Sequence, residues 1–142
     1  MSGDFDRELT PKGLDQADRV GRHCARLGLV PEVVLTSPVV RARQTAELVA
    51  KRLGGIELRH AQWLACGMRP PTCAQELAAL ADNKTVFLVG HEPDFSMTIE
   101  WFLGASGGAV HIRKASLTGL DISSFKPGGA CMEFLVPARM LP

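Results

Sequence analysis

Val33-Val34-Leu35-Thr36-Ser37-Pro38-Val39-Val40-Arg41-Ala42-Arg43-Gln44-Thr45 is the stretch whose reading decides the fold. Its first four residues form a β-branched, apolar run that reads as a buried strand. Ser37-Pro38 then restarts the chain as a helix, with Ser37 as N-cap and Pro38 at the first helical position. Ala42, Thr45, Ala46, Val49 and Leu53 recur at helical spacing as its inner face, and Gly54-Gly55 stops it. A buried strand feeding directly into a capped helix is the repeating unit of a parallel sheet.

Outward from this stretch the alternation continues. Upstream, Thr10 caps and Pro11 opens a helix whose apolar face is Leu14, Ala17, Val20, Cys24 and Leu27, closed by Gly28. Downstream, Ile56-Glu57-Leu58 predicts a short strand, followed by an irregular stretch through Pro70-Pro71. Thr72 and Gln75 fit a capping box that opens a helix to about Ala81. Thr85 to Val89 is the strongest strand in the sequence and runs into Gly90-His91. Pro93 to Leu103 reads as a helix with Phe95, Ile99, Phe102 and Leu103 on its apolar face. Beyond Gly104 the pattern changes to strands at Val110 to Ile112, Leu117 to Ile122 and Met132 to Val136, separated by turn residues such as Lys126-Pro127-Gly128-Gly129. The expected fold is α/β in three layers: a mostly parallel sheet, helices on both faces, and antiparallel C-terminal strands at one edge.

The 142 residues suit a single domain, 1–142, and a net charge of +1 gives no field for nucleic acid or an anionic membrane. Any anion must therefore be held locally by a few placed side chains. No apolar run approaches the ~20 residues that span a bilayer, and Met1 to Asp6 lacks the pattern of a signal peptide. Cys24, Cys66, Cys73 and Cys131 form no CxxC pair and no Cys/His ladder, so neither a zinc site nor a disulfide framework is expected. Reduced cysteines in a cytoplasmic protein, with no cofactor, are the expectation.

Open α/β sheets bind ligands where loops leave the C-terminal ends of strands. Two such ends carry unusual chemistry. At Thr36-Ser37, the helix start offers unpaired N–H groups to an anion, and Arg41, about one turn in, can grip phosphate oxygens bidentately. The alternative is a solvated helical Arg. At Val89-Gly90-His91-Glu92-Pro93, Gly90 lets the backbone turn and leaves His91 at the mouth of the sheet, where it can donate to a phosphoryl oxygen or exchange a proton. Here the alternative is a structural His closing a turn.

Together these stretches resemble a family. Ser37-Pro38-x-x-Arg41-Ala42-x-Gln44-Thr45-Ala46, Val89-Gly90-His91-x-Pro93 and Leu9-Thr10-x-x-Gly13 are similar, in order and spacing, to three signature blocks of the histidine phosphatase superfamily, with its phosphoglycerate-mutase-like fold. The short length and late strands most resemble its SixA-type phosphohistidine phosphatases, as do Arg7-x-Leu9-Thr10 and Phe134-Leu135-x-Pro137. The resemblance implies a phosphatase acting on phosphohistidine of a signalling protein, with a histidine phosphotransfer domain as partner and inorganic phosphate as product. It implies Arg41 and His91 as catalytic residues and Arg7 and Ser37 as further phosphate-binding residues. Longer relatives supply a carboxylate acid after the second helix, but Gln62 to Met68 contains no Asp or Glu. Imidazole leaves more readily than an alkoxide and needs less protonation, which favours phosphohistidine over a small phosphorylated metabolite.

The family's nucleophile is implied to be the His of an Arg-His-Gly motif on a first strand ahead of Leu9-Thr10, and no Arg-His-Gly occurs in the sequence. Arg22-His23 lies mid-helix after that block, so His23 is set aside; His60 and His111 match no block. In this fold the missing strand lies inside the sheet. Burying about five of its apolar residues contributes on the order of 10 kcal/mol, against a net domain stability of ~5–15 kcal/mol. The expectation is an N-terminally incomplete domain, with Met1 internal to a longer product and the chain as written inactive. The competing expectations are a non-catalytic phosphate-binding or interaction domain and a general phosphomonoesterase.

Overall fold

A computed structural model describes residues 3–142. Helix α1 (Pro11–Leu27) begins as its caps dictate: Thr10 Oγ1 accepts from the Gly13 N–H at 3.1 Å, and Gly28 ends the helix at a left-handed φ of 70°. Its buried face is Ala17, Val20, Gly21 and Cys24. Leu14 and Leu27, expected on that face, are 40% and 58% exposed. They lie about two turns to either side of Gly21, which packs against Val49 and Arg52 of the next helix.

Strand β1 (Val33–Thr36) is wholly buried and central. It pairs in parallel with β2 (Leu58–His60) on one edge and with β3 (Val86–Val89) on the other, giving the order β2-β1-β3. Between them run α2 (Val40–Arg52), which buries Ala42, Ala46, Val49 and Ala50, and α3 (Pro70–Ala78). After α4 (Asp94–Leu103), β4 (Leu117–Ile122) and β5 (Ala130–Val136) form an antiparallel ladder of their own.

Several boundaries move for identifiable reasons. The strand expected at Ile56–Leu58 lies at Leu58–His60, in register with Val34–Thr36. Helix α3 starts at Pro70, not at the Thr72 capping box, and ends at Ala78; Pro70 and Pro71 occupy the first positions, where their fixed φ suits a helix. No strand forms at Val110–Ile112. The Val110 N–H is taken by Glu100 Oε1 at 3.0 Å and the Ile112 N–H by Ser96 Oγ at 3.1 Å, so both groups bond to α4 side chains instead of a ladder.

The most apolar strand is only half-buried, and among the described residues β3 is paired along one edge alone. Val86 and Leu88 pack on the same apolar cluster as Leu120, Ile122 and Ala130, which includes Cys73, Ala74 and Phe102. Phe87 packs with Leu117 and Val136 on the opposite cluster, around Val20, Cys24 and Val49. The two ladders thus lie between the same two layers, yet among the described residues they form separate sheets.

Candidate active site

Because β1 and β3 are parallel and Thr36 is level with Val89, the loops that follow them leave at one mouth. The Ser37 N–H donates to the Val89 carbonyl at 2.9 Å and locks the two exits together. Ser37 is fully buried. Its hydroxyl accepts from the Val39 N–H at 3.2 Å and lies 2.8 Å from His91 Nε2. The expected N-cap role therefore fails: α2 starts only at Val40 with Val39 as its N-cap, and the Ser37 hydroxyl, two residues ahead of that cap, bonds to the Val39 N–H and to the imidazole.

His91 is 9% exposed, and its carbonyl accepts from the Phe95 N–H at 3.0 Å. Gly90 is required for close approach rather than for a left-handed turn, since a Cβ there would stand 2.9 Å from the Phe95 ring. Burial holds the His91 pKa below its ordinary value and the Arg41 charge adds to the effect, while Asp94 and Asp4 push it the other way. One imidazole thus feels Arg41, Asp94 and Asp4 at once, with burial the largest influence on it.

Arg41 sits in the first turn of α2 with its side chain 23% exposed. Its Nη1 donates to the Asp4 carbonyl at 2.8 Å, and its Nη2 lies 3.4 Å from Asp4 Oδ2. Arg7 is more exposed and places Nη2 3.3 Å from Asp4 Oδ1. The Val40 N–H donates to the Phe5 carbonyl at 3.1 Å, and the Leu9 N–H to Gln44 Oε1 at 2.7 Å, so the 4–9 segment lies across the start of α2. Ser37 and His91 are thus in contact, Arg41 is near enough for its charge to act on His91, and Arg7 meets Arg41 through Asp4.

Asp94 went unnoticed in the sequence, and it is buried. Its Oδ2 accepts from the N–H groups of Gly67 at 2.8 Å and Met68 at 3.1 Å, tying the 62–68 loop to the mouth. The available signal was an acid in the first helical turn after Gly90-His91-Glu92-Pro93, which by itself reads as a complement to the helix dipole. His23 lies on α1, with its Nδ1 2.7 Å from Arg26 Nη2, and His60 and His111 are exposed. Among the described residues no cluster of three metal-ligating side chains occurs, and no helix is long and apolar enough to cross a membrane.

Comparison with known proteins gives consistent findings. A family model described as Histidine phosphatase superfamily (branch 1) matches residues 1–65. An uncharacterised protein of Picosynechococcus sp. (strain PCC 7002) is 39% identical over 121 residues, covering 82% of this chain and 73% of that protein. The protein histidine phosphatase SixA complexed with tungstate superposes with a TM-score of 0.85 at 18% identity, over 98% of this chain and 89% of that one. Phosphoserine phosphatase from Entamoeba histolytica, in complex with 3-phosphoglyceric acid, superposes with a TM-score of 0.75 at 17% identity, over 96% of this chain and 88% of that one.

Proposed function

The chain belongs to the histidine phosphatase superfamily, and from that premise we propose that it removes the phosphoryl group from phosphohistidine on a cytoplasmic signalling phosphotransfer protein. The observation that carries this reading is the meeting of Arg41 and His91 in one electrostatic neighbourhood, with His91 held by Ser37 at the ends of β1 and β3. Phosphoryl transfer asks mainly for positioning and for charge aimed at the equatorial oxygens. Arg41 supplies a permanent guanidinium and His91 an imidazole N–H.

The nucleophile comes from a strand laid along the free edge of β3 and ending in Arg-His-Gly. Its imidazole nitrogen attacks phosphorus as the P–N bond to the substrate imidazole breaks, and water then cleaves the enzyme's own P–N bond, releasing inorganic phosphate. No carboxylate in residues 62–70 stands ready to protonate an alkoxide. Asp94 reaches that loop, but its Oδ2 is occupied there by the N–H groups of Gly67 and Met68.

The test is a chain extended upstream by an apolar strand ending in Arg-His-Gly. It is expected to release phosphate from phosphohistidine, and Arg41→Ala or His91→Ala to cut that rate by at least ~10²-fold. Undiminished rates in both variants overturn the assignment. The competing reading is a phosphate-binding domain without turnover. An extended chain that binds inorganic phosphate yet releases none from phosphohistidine would establish it. Faster hydrolysis of a phosphomonoester than of phosphohistidine would instead identify a general phosphomonoesterase.

A further inference from the structure

Asp4 turns its carbonyl and both carboxylate oxygens to two arginines. Its carbonyl accepts from Arg41 Nη1 at 2.8 Å and from the Arg7 N–H at 3.3 Å. Its carboxylate is split between them, with Oδ2 3.4 Å from Arg41 Nη2 and Oδ1 3.3 Å from Arg7 Nη2. Two guanidiniums facing the two oxygens of one anion is the arrangement that a phosphoryl group would meet. Arg7 and Arg41 are the two arginines that the sequence assigns to phosphate. The Asp4 charge also acts on His91, as the Arg41 charge does.

We propose that Asp4 is an internal anion that holds the Arg7–Arg41 pair in place of substrate, so that a phosphoryl group binds by displacing its carboxylate. The inference rests on the phosphate-site reading above. The pairing is built to yield. Both carboxylate contacts are longer than the ~2.7–2.9 Å of a tight charge-assisted bond, and the Asp4 side chain is 67% exposed, where ion pairs are weak. A dianionic phosphoryl group brings twice the charge and more acceptor oxygens, and so displaces the carboxylate. A singly charged carboxylate ligand only replaces like with like. Asp4 therefore acts as a specificity-determining residue that favours phosphoryl groups over carboxylates.

The experiment is calorimetric titration of inorganic phosphate and of acetate into the 142-residue chain and its strand-extended form, with circular dichroism as the check on folding. Asp4→Asn keeps the carbonyl contacts and removes the competing charge. Phosphate affinity is expected to rise about three- to tenfold, and acetate binding to become measurable, from the loss of weak surface pairs. Asp6→Asn, at an exposed carboxylate two residues along, makes the same change in net charge and is expected to leave both affinities unchanged. Unaltered or weakened phosphate binding in Asp4→Asn overturns the proposal, as does an equal gain in Asp6→Asn. Arg41→Ala separates the two levels. If it leaves phosphate binding intact, the site assignment itself fails; if it abolishes binding while Asp4→Asn changes nothing, only the role of Asp4 fails.

Discussion

His91 is buried beside a cation, and both facts disfavour its charged form. The unfolded chain therefore takes up a proton on this side chain at a higher pH than the folded chain does. Its stabilising contribution is present above the ordinary value of about 6.5 and is lost as pH falls through that value toward the lower folded one. Urea midpoints measured across that range should fall on acidification, and fall less steeply in His91→Gln. Arg41→Ala should raise the His91 pKa toward its ordinary value, read from the ring proton by NMR titration; an unmoved titration would mean that the guanidinium does not face the imidazole. The places of Arg41, Ser37 and His91 just past strand ends were legible because each follows a β-branched strand, while their roles came from the resemblance alone. Asp4 and Asp94 were not legible, since spacing along a chain does not say which distant N–H or guanidinium an acid will meet. Asp94 finds its partners 26 and 27 residues away.

At the level of elements, the two N-terminal helices meet through their smallest residue. A Cβ on Gly21 would lie 2.9 Å from Arg52 Cβ and 3.2 Å from Val49 Cα, neither of which is the free end of a flexible side chain. Nearby, Arg52 grips Asp18 with Nε at 2.6 Å and Nη2 at 3.0 Å, and that contact holds the Asp18 pKa below its usual value. Gly21→Val should force the helices apart and cost about 1–3 kcal/mol in a urea titration, while the circular dichroism spectrum stays helical. Helix α1 was readable to the residue because Thr10, Pro11 and Gly28 are local signals that act within a turn. The start of α3 was misread because two adjacent signals competed, and the fixed φ of Pro70 and Pro71 prevailed over the side-chain box at Thr72. The Val110–Ile112 strand failed because side chains of α4 satisfied its backbone first, a tertiary effect that propensity does not encode.

Over the whole molecule, the parallel core follows from the alternation of strands and helices, and it is present as β2-β1-β3. The interruption between β3 and the β4–β5 ladder is invisible to periodicity, because a strand's sequence does not state which of its edges are paired. The resemblance to a family supplied the expectation of a further strand, and Val86 to Val89 are half-buried. An upstream apolar strand should raise the thermal midpoint, lower the binding of a hydrophobic dye, and slow hydrogen exchange in β3; no change in the three together would show that the ladders are complete as they stand. The pairing of β3 with β1 also has a consequence for synthesis. Strand β1 leaves the ribosome before its partner β3, with α2, β2 and α3 made in between. Such pairing closes one of the molecule's longest loops and is slow for that reason. The mouth that Ser37 and His91 share therefore cannot assemble until β3 and the turn after it have been made.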